Sequence, residues 1–167
     1  VGRPVGEGPF GVVLERTPYL RIDTTNARFW ASRGYIYVKQ DVRGRGGSDG
    51  ILDMNAMQEQ DGYDAVEWAA ALPGSNGKVG MIGASYLGWV QWWAARGKPP
   101  HLVTIIPNVA PPDPFYNIPY EYGVHFILGG IWWADVLETE ATADLSGAAM
   151  STIGEKKYGE LLRSLPV

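Results

Sequence analysis

Lys78-Val79-Gly80-Met81-Ile82-Gly83-Ala84-Ser85-Tyr86-Leu87-Gly88 is the stretch that decides the fold. A run with the composition of a buried strand passes through Gly-Ala-Ser, with no intervening loop, into residues 86–96. Their spacing predicts a helix that Gly97 ends. A serine in so tight a strand-to-helix turn is held in a strained backbone conformation, and its hydroxyl projects beyond the sheet. Small neighbours let strand and helix approach. The N–H of the next residue, Tyr86, lies at a helix N-terminus, where it can donate to a developing negative charge. The competing reading is an ordinary strand–helix turn with a capping serine. The surrounding chain decides between them.

Upstream, residues 10–15 read as a strand that Thr17-Pro18-Tyr19 ends. Residues 23–26 offer N-caps for a helix over 27–31, and Gly34 is its natural terminator. Residues 35–38 are nearly all aromatic or β-branched, as befits a strand buried on both faces, and a Gly-rich loop follows at 43–50. From 57 to 71 the pattern turns helical, with Tyr63, Val66 and Ala70 on one face, Trp68 and Ala69 widening it, and Pro73-Gly74 stopping it. Downstream, residues 102–106 form a further strand that Pro107 closes. Strands alternating with helices predict an α/β fold, a mostly parallel sheet with right-handed crossovers and helices on both faces. After Val109 the character changes. Pro111-Pro112-Asp113-Pro114 is a stiff linker, and the aromatic-rich segments 126–137 and 155–162 look helical. The expected boundary lies near residue 112, giving units 1–112 and 113–167.

Composition narrows the function. At 167 residues the chain can bury one sizeable core, and 14 Lys+Arg against 18 Asp+Glu give a net charge of −4 with the signs interspersed. This argues against a polybasic nucleic-acid or membrane-surface binder. No run reaches the length and apolarity of a membrane-crossing helix. The absence of cysteine excludes a disulfide scaffold, a thiolate-bound zinc and a cysteine nucleophile. It leaves a cytoplasmic or a secreted location equally open. The chain opens at Val1 without an initiator Met or a signal segment, so the N-terminus is expected to be missing.

Several motifs then fall in order. Arg16-Thr17-Pro18-Tyr19 is followed by Gln40-Asp41-Val42-Arg43-Gly44-Arg45-Gly46, Asp61-Gly62-Tyr63-Asp64 and Glu67-Trp68. Asn76-Gly77-Lys78-Val79-Gly80, Gly83-Ala84-Ser85-Tyr86-Leu87-Gly88 and Pro99-Pro100-His101-Leu102 complete the set. Together, over roughly residues 10–110, they resemble the X-prolyl dipeptidyl-peptidase, cocaine esterase and α-amino-acid ester hydrolase family of serine hydrolases. The family's nucleophile elbow is similar, Gly-x-Ser-Tyr-x-Gly, which accounts for Leu87 where a glycine is usual and for Gly88 one place later.

The resemblance implies an α/β-hydrolase core followed by the start of a helical cap. It implies Ser85 as nucleophile, with the Tyr86 backbone N–H and the Tyr19 hydroxyl as oxyanion donors. A phenol of pKa about 10 stays protonated at neutral pH and can donate to an alkoxide. The general base and its orienting acid are implied to lie beyond residue 167, since His101 and His125 read as structural, which makes the chain an internal part of a larger enzyme. The implied reaction is acyl transfer to water from a small ester, amide or peptide substrate, with no metal or organic cofactor.

Other features read as structural. Residues 43–50 match neither a dinucleotide fingerprint nor a P-loop, and Asp41 and Arg43 are expected in a buried polar network that shapes that loop. Asp49, Asp53, Asp61, Asp64 and Glu67 lack calcium-loop spacing and read as caps or a solvated face. Trp89, Trp92 and Trp93 are expected in the core, whereas Trp132 and Trp133 could line an acyl pocket if the cap closes over Ser85. Two rival functions stand beside the hydrolase: a nucleotide-binding α/β module using loop 43–50, and a noncatalytic interaction domain that keeps the elbow without a triad.

Overall fold

The computed structural model describes residues 1–137, except 20, 22, 23, 55, 56, 114, 115, 118, 119, 127–129, 131, 132 and 134–136. The segment 155–162, with its expected helix, lies outside the described residues. The main elements alternate: β1 (Phe10–Thr17), α1 (Thr25–Ala31), β2 (Tyr35–Asp41), α2 (Gln58–Ala70), β3 (Ser75–Ala84), α3 (Tyr86–Arg96) and β4 (Leu102–Asn108). The four strands form one parallel sheet in the order β2-β1-β3-β4. Because β1 to β2 runs one way across the sheet and β2 to β3 runs the other, right-handed crossovers place α1 on one face and α2 with α3 on the opposite face. This is the α/β arrangement expected of the sequence.

The core fills the α2–α3 face. Val12 and Leu14 of β1, Ile36 and Val38 of β2, and Val79 and Met81 of β3 alternate onto it, against Ala65, Val66 and Ala69 of α2 and Ala94 of α3. On the α1 side the strands carry a polar cluster instead. The Tyr37 hydroxyl donates to Glu15 at 2.8 Å, and Lys39 pairs with the same carboxylate at 3.3 Å. At the outer edge of β2, Gly2 and Tyr37 exchange backbone hydrogen bonds in an antiparallel bridge.

Two local expectations are corrected. The buried stripe of α2 is Gln58, Gly62, Ala65, Val66 and Ala69, whereas Trp68 is 53% exposed. The helix meets α3 through its small residues, so the bulky ring points elsewhere. Pro107 does not close β4 but lies within it. Asn108, the next residue, directs its C=O toward the exit of β3, where it accepts from Ser85 N–H at 3.0 Å. Pro107 therefore directs its missing N–H away from β3, a position a strand tolerates. After the linker, β5 (Tyr120–Glu121) pairs with β6 (Val124–His125) in a hairpin turned by Tyr122 and Gly123, both at positive φ. Within the segment 126–137, expected to be helical, the described residues Gly130, Trp133 and Leu137 are helical, and Gly130 N–H donates to Phe126 C=O at 2.8 Å.

The strand order fixes where a site can lie. From β1 the chain leaves toward β2 on one side and later returns as β3 on the other. The carboxyl ends of β1 and β3 thus flank the point where the order reverses, the crevice in which open α/β sheets place their ligands.

Candidate active site

Ser85 occupies the turn between β3 and α3 with φ 57° and ψ −125°, a conformation that side chains other than glycine rarely adopt. Its neighbours have no room for alternatives. A Cβ on Gly83, itself at φ 143°, would stand 2.4 Å from the Leu87 Cβ. One on Gly88 would stand 2.5 Å from the Ala110 Cβ and 3.0 Å from the Gly83 carbonyl. The helix can therefore rise directly out of the strand only with glycine at both places. The departure seen in the sequence, Leu87 followed by Gly88, has this steric cause. Ser85 C=O starts the helix by accepting from Gly88 and Trp89, both at 2.9 Å. Tyr86 opens α3, so its N–H has no carbonyl one turn back to bond.

A buried amide, missed from sequence, fixes this turn. Gln91 is fully buried, donates to Leu87 C=O at 2.9 Å and reaches the carbonyls of Gly83 and Ile106 at 3.4 Å. Its Oε1 accepts from Ile106 N–H at 2.9 Å. It thereby takes up backbone groups where β3 and β4 part. A Gln on the apolar face of a helix is the signal that could have exposed it, since a buried amide must find partners for donors and acceptor alike.

From the end of β1, Tyr19 reaches the same place. Its hydroxyl accepts from Trp133 Nε1 at 2.9 Å and lies beside the Ser85 side chain. Burial pushes the Tyr19 pKa up, and the hydrogen bonds from Trp133 and Ser85 only partly offset it. The phenol is therefore neutral, and a donor, well past neutral pH. The Tyr86 ring packs edge-on to Tyr19 (6.5 Å between centroids) and Trp89 (5.8 Å), and tilted against Trp133 (5.9 Å). Its own hydroxyl is buried with no hydrogen-bond partner among the described residues, and burial raises its pKa strongly. Ser85, Tyr19 and Tyr86, singled out from the sequence, thus meet at the switch point, with Trp133 beside them.

Residues 1–162 match the X-Pro dipeptidyl-peptidase (S15) family. The chain belongs to that family. Cocaine esterase of Rhodococcus sp. (strain MB1 Bresler) is 33% identical over 157 residues, covering 87% of this chain and 27% of the esterase. Among solved structures, a CocE/NonD family hydrolase from Staphylococcus aureus superposes with a TM-score of 0.75 at 28% identity, over 89% of this chain and 32% of that one. An α-amino acid ester hydrolase gives 0.59 at 30% identity, over 68% and 23%. The fold is thus that of the α/β-hydrolases, and the relatives are hydrolases. The chain spans about a quarter of the length of the curated esterase it matches.

In this S15 chain the Gly-rich loop 43–50 is closed on itself. A Cβ on Gly44 would meet Leu52 N at 2.2 Å, and one on Gly46 would meet the Asp41 carboxylate at 2.4 Å. Asp41 is buried, pairs with Arg21 at 2.6 Å and accepts from Gly47 N–H at 3.0 Å, while Ser48 Oγ donates to its carbonyl at 2.8 Å. Arg43 forks onto Asp61 at 2.9 and 2.5 Å from the surface rather than from the interior, which corrects the expectation that both residues are buried. A phosphate in this loop would face a carboxylate, which disfavours the nucleotide reading.

His101 sits at the opposite end of the sheet, where its Nδ1 contacts Glu67 at 2.7 Å, and His125 packs against the Tyr120 ring at 5.2 Å. Among the described residues no His, Asp or Glu cluster could hold a metal. Trp89 is buried as expected, but Trp92 is 39% exposed. Arg16, of the Arg-Thr-Pro-Tyr motif, is buried beneath the site with its Nε on Gln40 at 2.9 Å, and burial lowers its pKa.

Proposed function

We propose that this chain carries the nucleophile and oxyanion site of a serine hydrolase that cleaves small esters or amides through an acyl-enzyme on Ser85. The observation that carries the reading is a serine at positive φ, at the head of a helix and at the switch point, with a buried neutral tyrosine hydroxyl against its side chain. Ser85 Oγ attacks the acyl carbonyl and gives up its proton to a general base. Tyr19 O–H and Tyr86 N–H donate to the oxygen that becomes negative, which stabilises charge present only in the transition state. The intermediate collapses as the leaving alcohol or amine takes the proton, and water then releases the acid. The base and its orienting acid come from outside the described residues, beyond residue 167 as the family resemblance implies. Similarity to cocaine esterase and to an α-amino acid ester hydrolase supports an ester as the substrate class, and membership of the X-Pro dipeptidyl-peptidase family supports an amide.

The test is covalent. The full-length protein treated with a fluorophosphonate should carry one adduct, on the peptide containing Ser85, and Ser85→Ala should abolish both adduct and turnover of p-nitrophenyl esters. An adduct that persists in the variant, or that maps to Ser48 or Ser151, would overturn the assignment.

A further inference from the structure

The hydroxyl of Tyr19 is shared, and the way it is shared has a direction. An indole N–H can only donate, so in the Trp133–Tyr19 contact the phenolic oxygen is the acceptor. A phenol has a single proton, and with Trp133 donating to its oxygen at 2.9 Å that proton is turned away from the indole. An O–H that accepts one hydrogen bond is also polarised into a stronger donor. We propose that Trp133 is a positioning residue of the oxyanion site, its N–H orienting the Tyr19 hydroxyl toward the charge that develops beside Ser85. The inference rests on the serine-hydrolase reading and assigns a role to a residue from beyond the sheet.

A second contact supports it independently. Arg45, buried within the Gly-rich loop, donates through Nε to Pro18 C=O at 2.9 Å and through Nη1 to Leu137 C=O. Pro18 immediately precedes Tyr19, and Leu137 lies four residues beyond Trp133. One guanidinium thus ties the backbone that carries the tyrosine to the backbone that carries the tryptophan. The role of the loop is then to hold two elements together rather than to bind an anion. Packing alone would need no such arrangement. A Phe at 133 could fill the same space against Tyr86, but it would leave the Tyr19 hydroxyl free to rotate.

The experiment is a double-mutant cycle in the full-length protein, with p-nitrophenyl ester as substrate. Trp133→Phe should lower kcat by about five- to tenfold, the order of one hydrogen bond, with a smaller change in KM. In a Tyr19→Phe background the same substitution should cost less than a factor of about two, because there is no hydroxyl left to orient. Replacing Trp133 by its benzothiophene isostere, which keeps the ring's shape but lacks the N–H, should reproduce the kcat loss with an unchanged Tm. Equal losses in both backgrounds, a loss confined to KM, or full activity in the isostere would make Trp133 an apolar wall and overturn the inference while leaving Ser85 in place. Full turnover in Ser85→Ala would overturn the hydrolase reading, and this inference with it.

Discussion

The elbow at 83–88 and the loop at 43–50 are both glycine-rich, both follow a parallel strand, and both lie at the carboxyl end of the sheet. Each contains a serine, yet they present opposite surfaces. In the elbow, Gly83 and Gly88 vanish into contact with Leu87 and Ala110, and the closeness they permit leaves Ser85 strained and exposed. In the loop, Gly44 and Gly46 make room for the loop's own backbone and for the Asp41 carboxylate, and Ser48 spends its hydroxyl on Asp41 C=O. Glycine content does not mark a site. What occupies the space beside each glycine does.

The contrast can be broken most directly through activity. Tyr19→Phe, which removes one donor beside Ser85, should lower kcat by about 10²–10³, or roughly 3–4 kcal/mol of barrier, with KM little changed. Ser48→Ala should alter kcat by less than a factor of about three. A Ser48 variant as impaired as the Tyr19 variant would mean that the loop takes part in chemistry.

Stability sharpens the comparison further. Gly44→Ala should cost about 2–3 kcal/mol in denaturant unfolding, because its Cβ would strike the Leu52 backbone and φ is 71°. Ser85→Gly should do the reverse and stabilise by about 1 kcal/mol, since it releases the strain of the turn. A destabilised Ser85→Gly protein would show that the positive φ is not a strain the fold holds against its preference.

The smallest effect expected is at Tyr86. Its buried hydroxyl has no hydrogen-bond partner among the described residues, so Tyr86→Phe should raise stability by about 1 kcal/mol. Burial raises its pKa, so above the unfolded value of about 10 the native state binds more protons than the unfolded chain, and stability falls as pH climbs. Melting curves between about pH 9 and 11 should show that decline, and Tyr86→Phe should flatten it. An identical slope in the variant would assign the alkaline loss to other groups.

The parts legible in the sequence are those in which local pattern and tertiary role coincide. Helix α3 has the bounds its spacing predicted, because Ser85 starts it and Gly97 follows its end. That Ser85 and Tyr86 share one tight turn is legible from the strand–Gly-x-Ser–helix pattern, whereas the nearness of Tyr19 is legible only through the family resemblance. What stayed hidden depends on partners distant in sequence or on geometry that hydrophobicity does not encode. Trp68 looked like core because rings usually bury, but the α2–α3 contact selects small residues. Pro107 looked like a terminator because its harmlessness depends on which way a backbone group faces. Gln91, Arg45 and the Trp133 N–H act through bonds to carbonyls and a hydroxyl that no spacing rule connects.

Everything that holds the serine turn in shape, from Gly83 and Gln91 to the Ile106 and Asn108 carbonyls, comes from one strand–helix–strand unit of contiguous chain. The groups that surround the hydroxyl, Tyr19 and Trp133, come from outside that unit on either side. Shape and chemistry are therefore inherited separately. On the proposed reading, a change in the segment that carries Trp133 alters what meets the Ser85 hydroxyl while the turn beneath keeps its form. The seam between the two lies between residues 108 and 130.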